Sequence, residues 1–186
     1  MASVVRAALE TVADRNIGQI SDYLLDRTTP LNVRCALPLI LATTGHHRAA
    51  DALLYALRDE RFEIRLQTSR ALDILKRTSE VEVEAEEVFS AIRRELTQRI
   101  APPNLEFIFS LMGVVLPREP VRVAFEGLTA KDQQLRGLAL EYLESALPPD
   151  IGESLLSLVD ADSEPPRDDL RQELTNLIER IREKRS

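Results

Sequence analysis

The sequence predicts an all-α fold assembled from short helix pairs. Three observations carry this: apolar residues recur at helical spacing almost throughout, strand formers are scarce, and short joints, most of them bearing Pro, Gly or Asp, interrupt the pattern. Apolar residues make up 44% of the 186 and charged residues 30%, the balance of a folded globular chain. Aromatics are 4% and Trp is absent, while Leu and Ala recur, so helix formers dominate over β-branched and aromatic strand formers.

The helical stripes run in order along the chain. They are Ile17, Ile20, Leu24 and Leu25; Leu53, Ala56 and Leu57; Ile64, Ala71, Leu72 and Leu75; Leu135, Leu138, Ala139 and Tyr142; and Leu170, Leu174, Leu177 and Ile181. Each is expected to bury one helix face. Pro30 suits a first helical turn behind a Thr29 cap, and Gly45 suits the left-handed residue that ends the next helix. Pro38 lies inside the helix that Pro30 opens and removes the hydrogen bond to the Arg34 carbonyl, which predicts a kink. Val81-Glu-Val-Glu84 is the only strand-like alternation; it is short and runs into a helical pattern, so it reads as a helix start, with Ser79 and Glu82 at capping-box spacing.

A repeat underlies these elements. An apolar-Arg dipeptide opens each second helix at Val33-Arg34, Ile64-Arg65, Leu135-Arg136 and Leu170-Arg171, at intervals of 31, 71 and 35 residues. The long interval accommodates a degenerate copy at Leu105-Glu106, behind Pro102-Pro103. Two-helix units at periods of roughly 30–45 residues bury their faces by stacking on neighbours, and about five pairs fill residues 1–186 as a single repeat domain.

The units Leu53–Leu72 and Phe125–Leu143 resemble HEAT repeats of the short bacterial type, which implies a right-handed α-solenoid. More narrowly, the ordered set Gly113-Val-Val-Leu-Pro117, Arg136-Gly-Leu-Ala-Leu-Glu-Tyr-Leu143 and Ala146-Leu-Pro-Pro149 is similar to the HEAT region associated with ADP/ATP-translocase-like transporters. That resemblance spans residues 5 to 182 and implies a soluble regulatory module, either a fragment of a longer protein or a free-standing relative of one. Its motifs are structural and imply no catalytic group.

Composition narrows the function classes. A formal charge of -7 repels a phosphate backbone unless the basic residues gather on one face, so nucleic acid is an unfavourable partner. Cys35 is the only cysteine and sits in an apolar stretch; no intrachain disulfide is available and a reducing cytoplasm fits. The longest apolar run, around Cys35 to Ala42, is far below the ~18 residues that cross a bilayer.

Candidate chemistry is sparse. Adjacent His46 and His47 point about 100° apart on a helix and have no third Cys or His nearby, so they read as a solvated helix start rather than a metal site. Cys35 lacks an activating neighbour and reads as a small packed hydrophobe. Glu80, Glu82, Glu84, Glu86 and Glu87 read as a solvated face favoured by a helix dipole. Tyr55, Phe62, Phe107, Phe109, Phe125 and Tyr142 read as core. Phosphate loops, nucleophile elbows and zinc-protease helices are absent from the sequence, so neither a cofactor nor a catalytic residue is assigned.

The sharpest constellation is the row Arg34, Arg65, Arg136 and Arg171, because equivalent positions of stacked repeats form a line. One reading is a strip that binds an acidic peptide or other anion. The other is an internal ladder in which each Arg holds a turn carboxylate, from Asp26, Asp59, Asp132 or Asp168, together with carbonyls at a helix end. The recurrence of Asp beside the arginines favours the ladder. The functional expectation is a non-catalytic scaffold that binds a protein or neighbouring domain as a monomer or weak oligomer. The alternative is an enzyme on related helical repeats, bilin lyase-like or DNA glycosylase-like; the first needs a chromophore pocket and the second a basic cleft.

Overall fold

The protein is described from a computed structural model, over residues 15–97, 102–129 and 133–161. Among them are nine helices and no strand. They are α1 (Ile17–Leu25), α2 (Leu31–Thr43), α3 (His47–Ala56), α4 (Phe62–Thr78), α5 (Ala85–Leu96), α6 (Pro102–Val115), α7 (Arg118–Thr129), α8 (Gln133–Ala146) and α9 (Pro149–Ala161). None of the described helices is long and apolar enough to cross a membrane. The chain divides into two compact units, residues 1–91 and 92–186.

In the first unit, α1 packs on α2 and α3 on α4, while α1 also packs on α3 and α2 on α4. The contact of α2 with α4 is the most extensive among the described helices. The core of this unit includes Leu24 of α1, Leu41 of α2, Leu53 of α3 and Ile64, Leu72 and Leu75 of α4, all fully buried. The inward face of α3 is Leu53 with Ala49, Ala50 and Ala56, three small residues that let neighbouring helices approach closely. Dipole-compatible charges mark the ends of α4, with Glu63 in the first turn and Lys76 and Arg77 in the last.

The joints follow local chemistry. Asp26 accepts the Thr28 amide at 2.9 Å and the Thr28 hydroxyl, closing the turn after α1; these bonds hold its carboxyl below the usual range. Pro30 is itself the cap of α2, its carbonyl accepting the Val33 and Arg34 amides, so the helix begins one residue later than the Thr29 cap would place it. Gly45 has a φ of 64°, the left-handed residue expected after α2. His46 caps α3 through Nδ1, which accepts the Arg48 amide at 3.1 Å.

The expected helix start at Ser79–Glu82 is corrected by the structure. Ser79 is the extended residue that ends α4, its hydroxyl donating to the Leu75 carbonyl at 2.7 Å, and residues 80–84 stay outside helices until α5 begins at Ala85.

In the second unit, helices pack on their successors: α6 on α7, α7 on α8 and α8 on α9. Phe107, Ile108, Leu111 and Met112 of α6 are fully buried, and Phe109 meets Phe125 of α7 at 4.7 Å between ring centres. Arg93 of α5 reaches Asp150 in the first turn of α9, with Nε donating at 2.5 Å. That contact joins the part of α5 that lies in this unit, from Ile92 on, to its last described helix.

Candidate functional site

The apolar-Arg register places each described Arg of the row at the fourth residue of its helix: Arg34 in α2, Arg65 in α4 and Arg136 in α8. Arg171 lies outside the described residues. The structure brings two of them together at a single turn. Arg34 is 4% exposed; its Nε donates to the Leu24 carbonyl at the end of α1 at 2.7 Å, and its Nη2 to the Asp59 carboxylate. Arg65 is 6% exposed and its Nη1 donates to the carbonyls of Asp59 and Glu60, each at 3.1 Å, with the guanidinium 5.4 Å from the Phe62 ring. Asp59 also accepts the Arg61 amide at 2.9 Å.

Two arginines and one carboxylate therefore tie the α3–α4 turn to the end of α1. Asp26, the other described turn carboxylate, is engaged by Thr28 instead, and Asp132 and Asp168 lie outside the described residues. Arg136 is half-buried.

Other singled-out residues fall as follows. Cys35 is half-buried and burial pushes its thiol up, with Glu63 adding in the same direction. His46 and His47 are both exposed, with ring centres 4.2 Å apart. Glu87 pairs with Arg58 at 2.6 Å, while Glu80, Glu82, Glu84 and Glu86 are exposed. Among the described residues no three His, Cys, Asp or Glu side chains gather as a metal site. Phe107, Phe109 and Phe125 are core as expected, but Tyr55 is corrected: it is 60% exposed, on the side of α3 away from its alanines.

A second correction reveals an open apolar surface. Leu135 and Leu138, read as part of a buried stripe, are 49% and 62% exposed; Ala139 and Leu143 are the α8 residues turned inward. With Val123, Ala124 and Tyr142 they line a groove of about 610 Å³ between α7 and α8. The floor is apolar. At the rim stand Glu119 and Glu126, both bonded to Arg122, whose charge they reinforce, and Glu141 lies exposed one turn from Leu138.

Helix proximity shapes the groove. A Cβ built on Gly127 of α7 would lie 2.9 Å from the Ala139 Cβ and 3.0 Å from the Leu135 carbonyl, so only glycine permits this approach. The Tyr142 hydroxyl is buried without a hydrogen-bond partner among the described residues.

The register explains why this face is open. Leu135 and Tyr142 occupy in α8 the positions that Ile64 and Ala71 occupy in α4, where both are fully buried. The sequence shows that the positions are apolar; whether a helix covers them depends on how the neighbours pack. Sequence patterning also gave no signal for Glu95, a carboxylate on α5 that is 1% exposed.

Comparison with models of known protein families, with curated proteins and with solved structures found no match.

Proposed function

We propose that this chain is a non-catalytic interaction scaffold, a HEAT-like right-handed stack of helix pairs whose α7–α8 groove receives an amphipathic helix from a protein partner or neighbouring domain. The observation that carries this reading is the groove itself. Val123, Leu135 and Leu138 leave large apolar surface exposed along it, and Leu135 and Tyr142 stand at register positions that are fully buried in α4. Such a groove takes a helix with apolar residues at i, i+3 or i+4 and i+7; Glu119 and Glu126 share Arg122, and the exposed Glu141 beside them favours a basic residue on its flank.

The stacking reading is supported by the first unit, where like helices of successive pairs pack on each other, α1 on α3 and α2 on α4. It is also supported by the shared apolar-Arg register in α2, α4 and α8. The resemblance to the HEAT region of translocase-like transporters adds a partner class, a membrane module in the same polypeptide or complex, with this chain on its cytoplasmic side.

The test is fluorescence titration with a labelled helical peptide carrying a Leu stripe and Lys flanks. Binding that weakens at least tenfold in Leu138→Glu, while thermal unfolding stays within ~0.5 kcal/mol of the parent, supports the groove. Equal binding by Leu138→Glu, or equal binding of a peptide with Glu flanks, refutes it.

A further inference from the structure

We propose that residues 170–181 of this chain occupy the α7–α8 groove in cis, laid as a helix along α8 and parallel to it, so that a partner helix binds by displacing them. This regulation rests on the groove being the receptor surface proposed above. Residues 162–186 lie outside the described residues, and their sequence carries the pattern the groove calls for: Leu170, Leu174, Leu177 and Ile181 fall at i, i+4, i+7 and i+11.

The first unit supplies the packing precedent. There the apolar-Arg dipeptide stands in α2 as Val33-Arg34 and in α4 as Ile64-Arg65, and the two helices that carry it make the most extensive contact among the described helices. The dipeptide returns in α8 as Leu135-Arg136 and next as Leu170-Arg171, 35 residues on. Successive carriers of one register stack on each other in a helical repeat, so the helix due on α8 is that of residues 170–181. Leu135 and Leu138 are the α8 residues it finds open.

Tether and charge set the same direction. Only Leu147 and Pro148 separate α8 from α9, and α9 packs back on α8, a helical hairpin in which 13 residues retrace a helix of 14. Ala161 thus returns the chain toward the Gln133 end of α8. The eight residues 162–169 reach roughly 26 Å when extended, more than the ~8–10 Å between packed helix axes. Residues 170–181 then begin beside Leu135 and run toward Tyr142. Because Gly127 of α7 meets Leu135 and Ala139, α7 runs against α8, and Glu119 in its first turn lies at the Tyr142 end, where Glu141 and Glu144 are exposed. Glu119 and Glu126 share the single Arg122, which leaves carboxylates in excess along the rim. The segment brings its basic end there, Arg180, Arg182, Lys184 and Arg185 against Glu183, whereas Asp168, Asp169 and Glu173 outnumber Arg171 at its start. The reverse orientation sets those carboxylates against Glu141 and stretches the tether along the whole of α8.

Two measurements on the full chain test cis occupancy apart from the groove reading. In a Cys35→Ser background, Leu138→Cys with Leu174→Cys should close an intramolecular disulfide on mild oxidation of the folded chain and not in urea. In titration with the Lys-flanked peptide, Leu177→Glu should bind roughly tenfold or more tighter than the parent, because a tethered competitor at an effective concentration on the order of millimolar is removed. Adding Leu138→Glu should abolish that gain. Circular dichroism verifies that each variant is folded; should Leu177→Glu fail to fold, the disulfide alone decides. Failure of the folded chain to form the disulfide overturns the proposal, as does measurable peptide binding that is equal in the parent and Leu177→Glu. A disulfide that forms while no variant binds the peptide retains the docked segment and refutes the groove as a receptor for partners.

Discussion

Arg34 of α2 grips the carboxylate of Asp59 across 25 residues of sequence, with both side chains at least nine-tenths buried. The same guanidinium holds the Leu24 carbonyl, and Arg65 holds the Asp59 and Glu60 carbonyls. The turn between α3 and α4 is thereby fixed to α2 and to the end of α1 by charge-assisted bonds, which also satisfy carbonyls a helix end leaves open. In these two positions the arginine row is engaged as an internal ladder, with its donors directed at the protein's own acceptors.

Removing one member of a buried pair leaves the other charge stranded, so Arg34→Ala and Asp59→Ala should each lose about 3–5 kcal/mol. In a chain of this size that is a fall in melting temperature on the order of 10 °C. The double variant should lose clearly less than the sum, the signature of direct coupling. Exposed Arg48→Ala serves as the control and should stay within ~0.5 kcal/mol. If Arg34→Ala melted like the parent while binding of an acidic peptide was lost, the arginines would be a binding strip.

The Arg93–Asp150 pair makes a pH-dependent contribution. The side-chain bond from Arg93 holds the Asp150 carboxyl below the usual carboxylate range. A carboxyl with a depressed folded pKa stabilises the fold above its unfolded value of ~3.9, and that contribution disappears as pH falls through the folded value. Asp150→Asn should therefore melt below the parent at pH 7, and the two curves should converge as the pH falls through the depressed folded value. The pair is exposed, so the gap at pH 7 should also shrink in high salt.

Much of the fold was legible because the 3.6-residue period is strong here: the helical stripes, the Gly45 turn and the position of each described apolar-Arg dipeptide follow from spacing alone. The misses have physical causes. Ser79 has a hydroxyl that can serve either helix end, and it turns back to Leu75; Val81 and Val83 alternate with glutamates and stay extended, with the Lys76 ammonium on the Val81 carbonyl at 3.4 Å. Tyr55 looked like core by residue type, yet the alanine face of α3 is what turns inward. The groove was not legible, because Leu135 and Leu138 differ from buried leucines only in what packs over them.

Two glycines one helix apart give opposite expectations. Gly137 on α8 is exposed, helical and has no atom within 4 Å of a built Cβ, so Gly137→Ala should stabilise by up to about 1 kcal/mol through helix propensity and a less free unfolded chain. Gly127→Ala should do the reverse. Its methyl would press on the Ala139 Cβ and the Leu135 carbonyl, neither of which can rotate away, so α7 and α8 must separate. Overpacking of that kind costs about 1–3 kcal/mol. The separation also reshapes the groove floor formed by Val123, Leu135 and Leu138, so the Lys-flanked peptide should bind Gly127→Ala more weakly than the parent and Gly137→Ala about as well. Chemical denaturation of both variants, paired with the same titration, reads the two effects together. A Gly127→Ala protein as stable as the parent would mean that the helices are not held at this close approach.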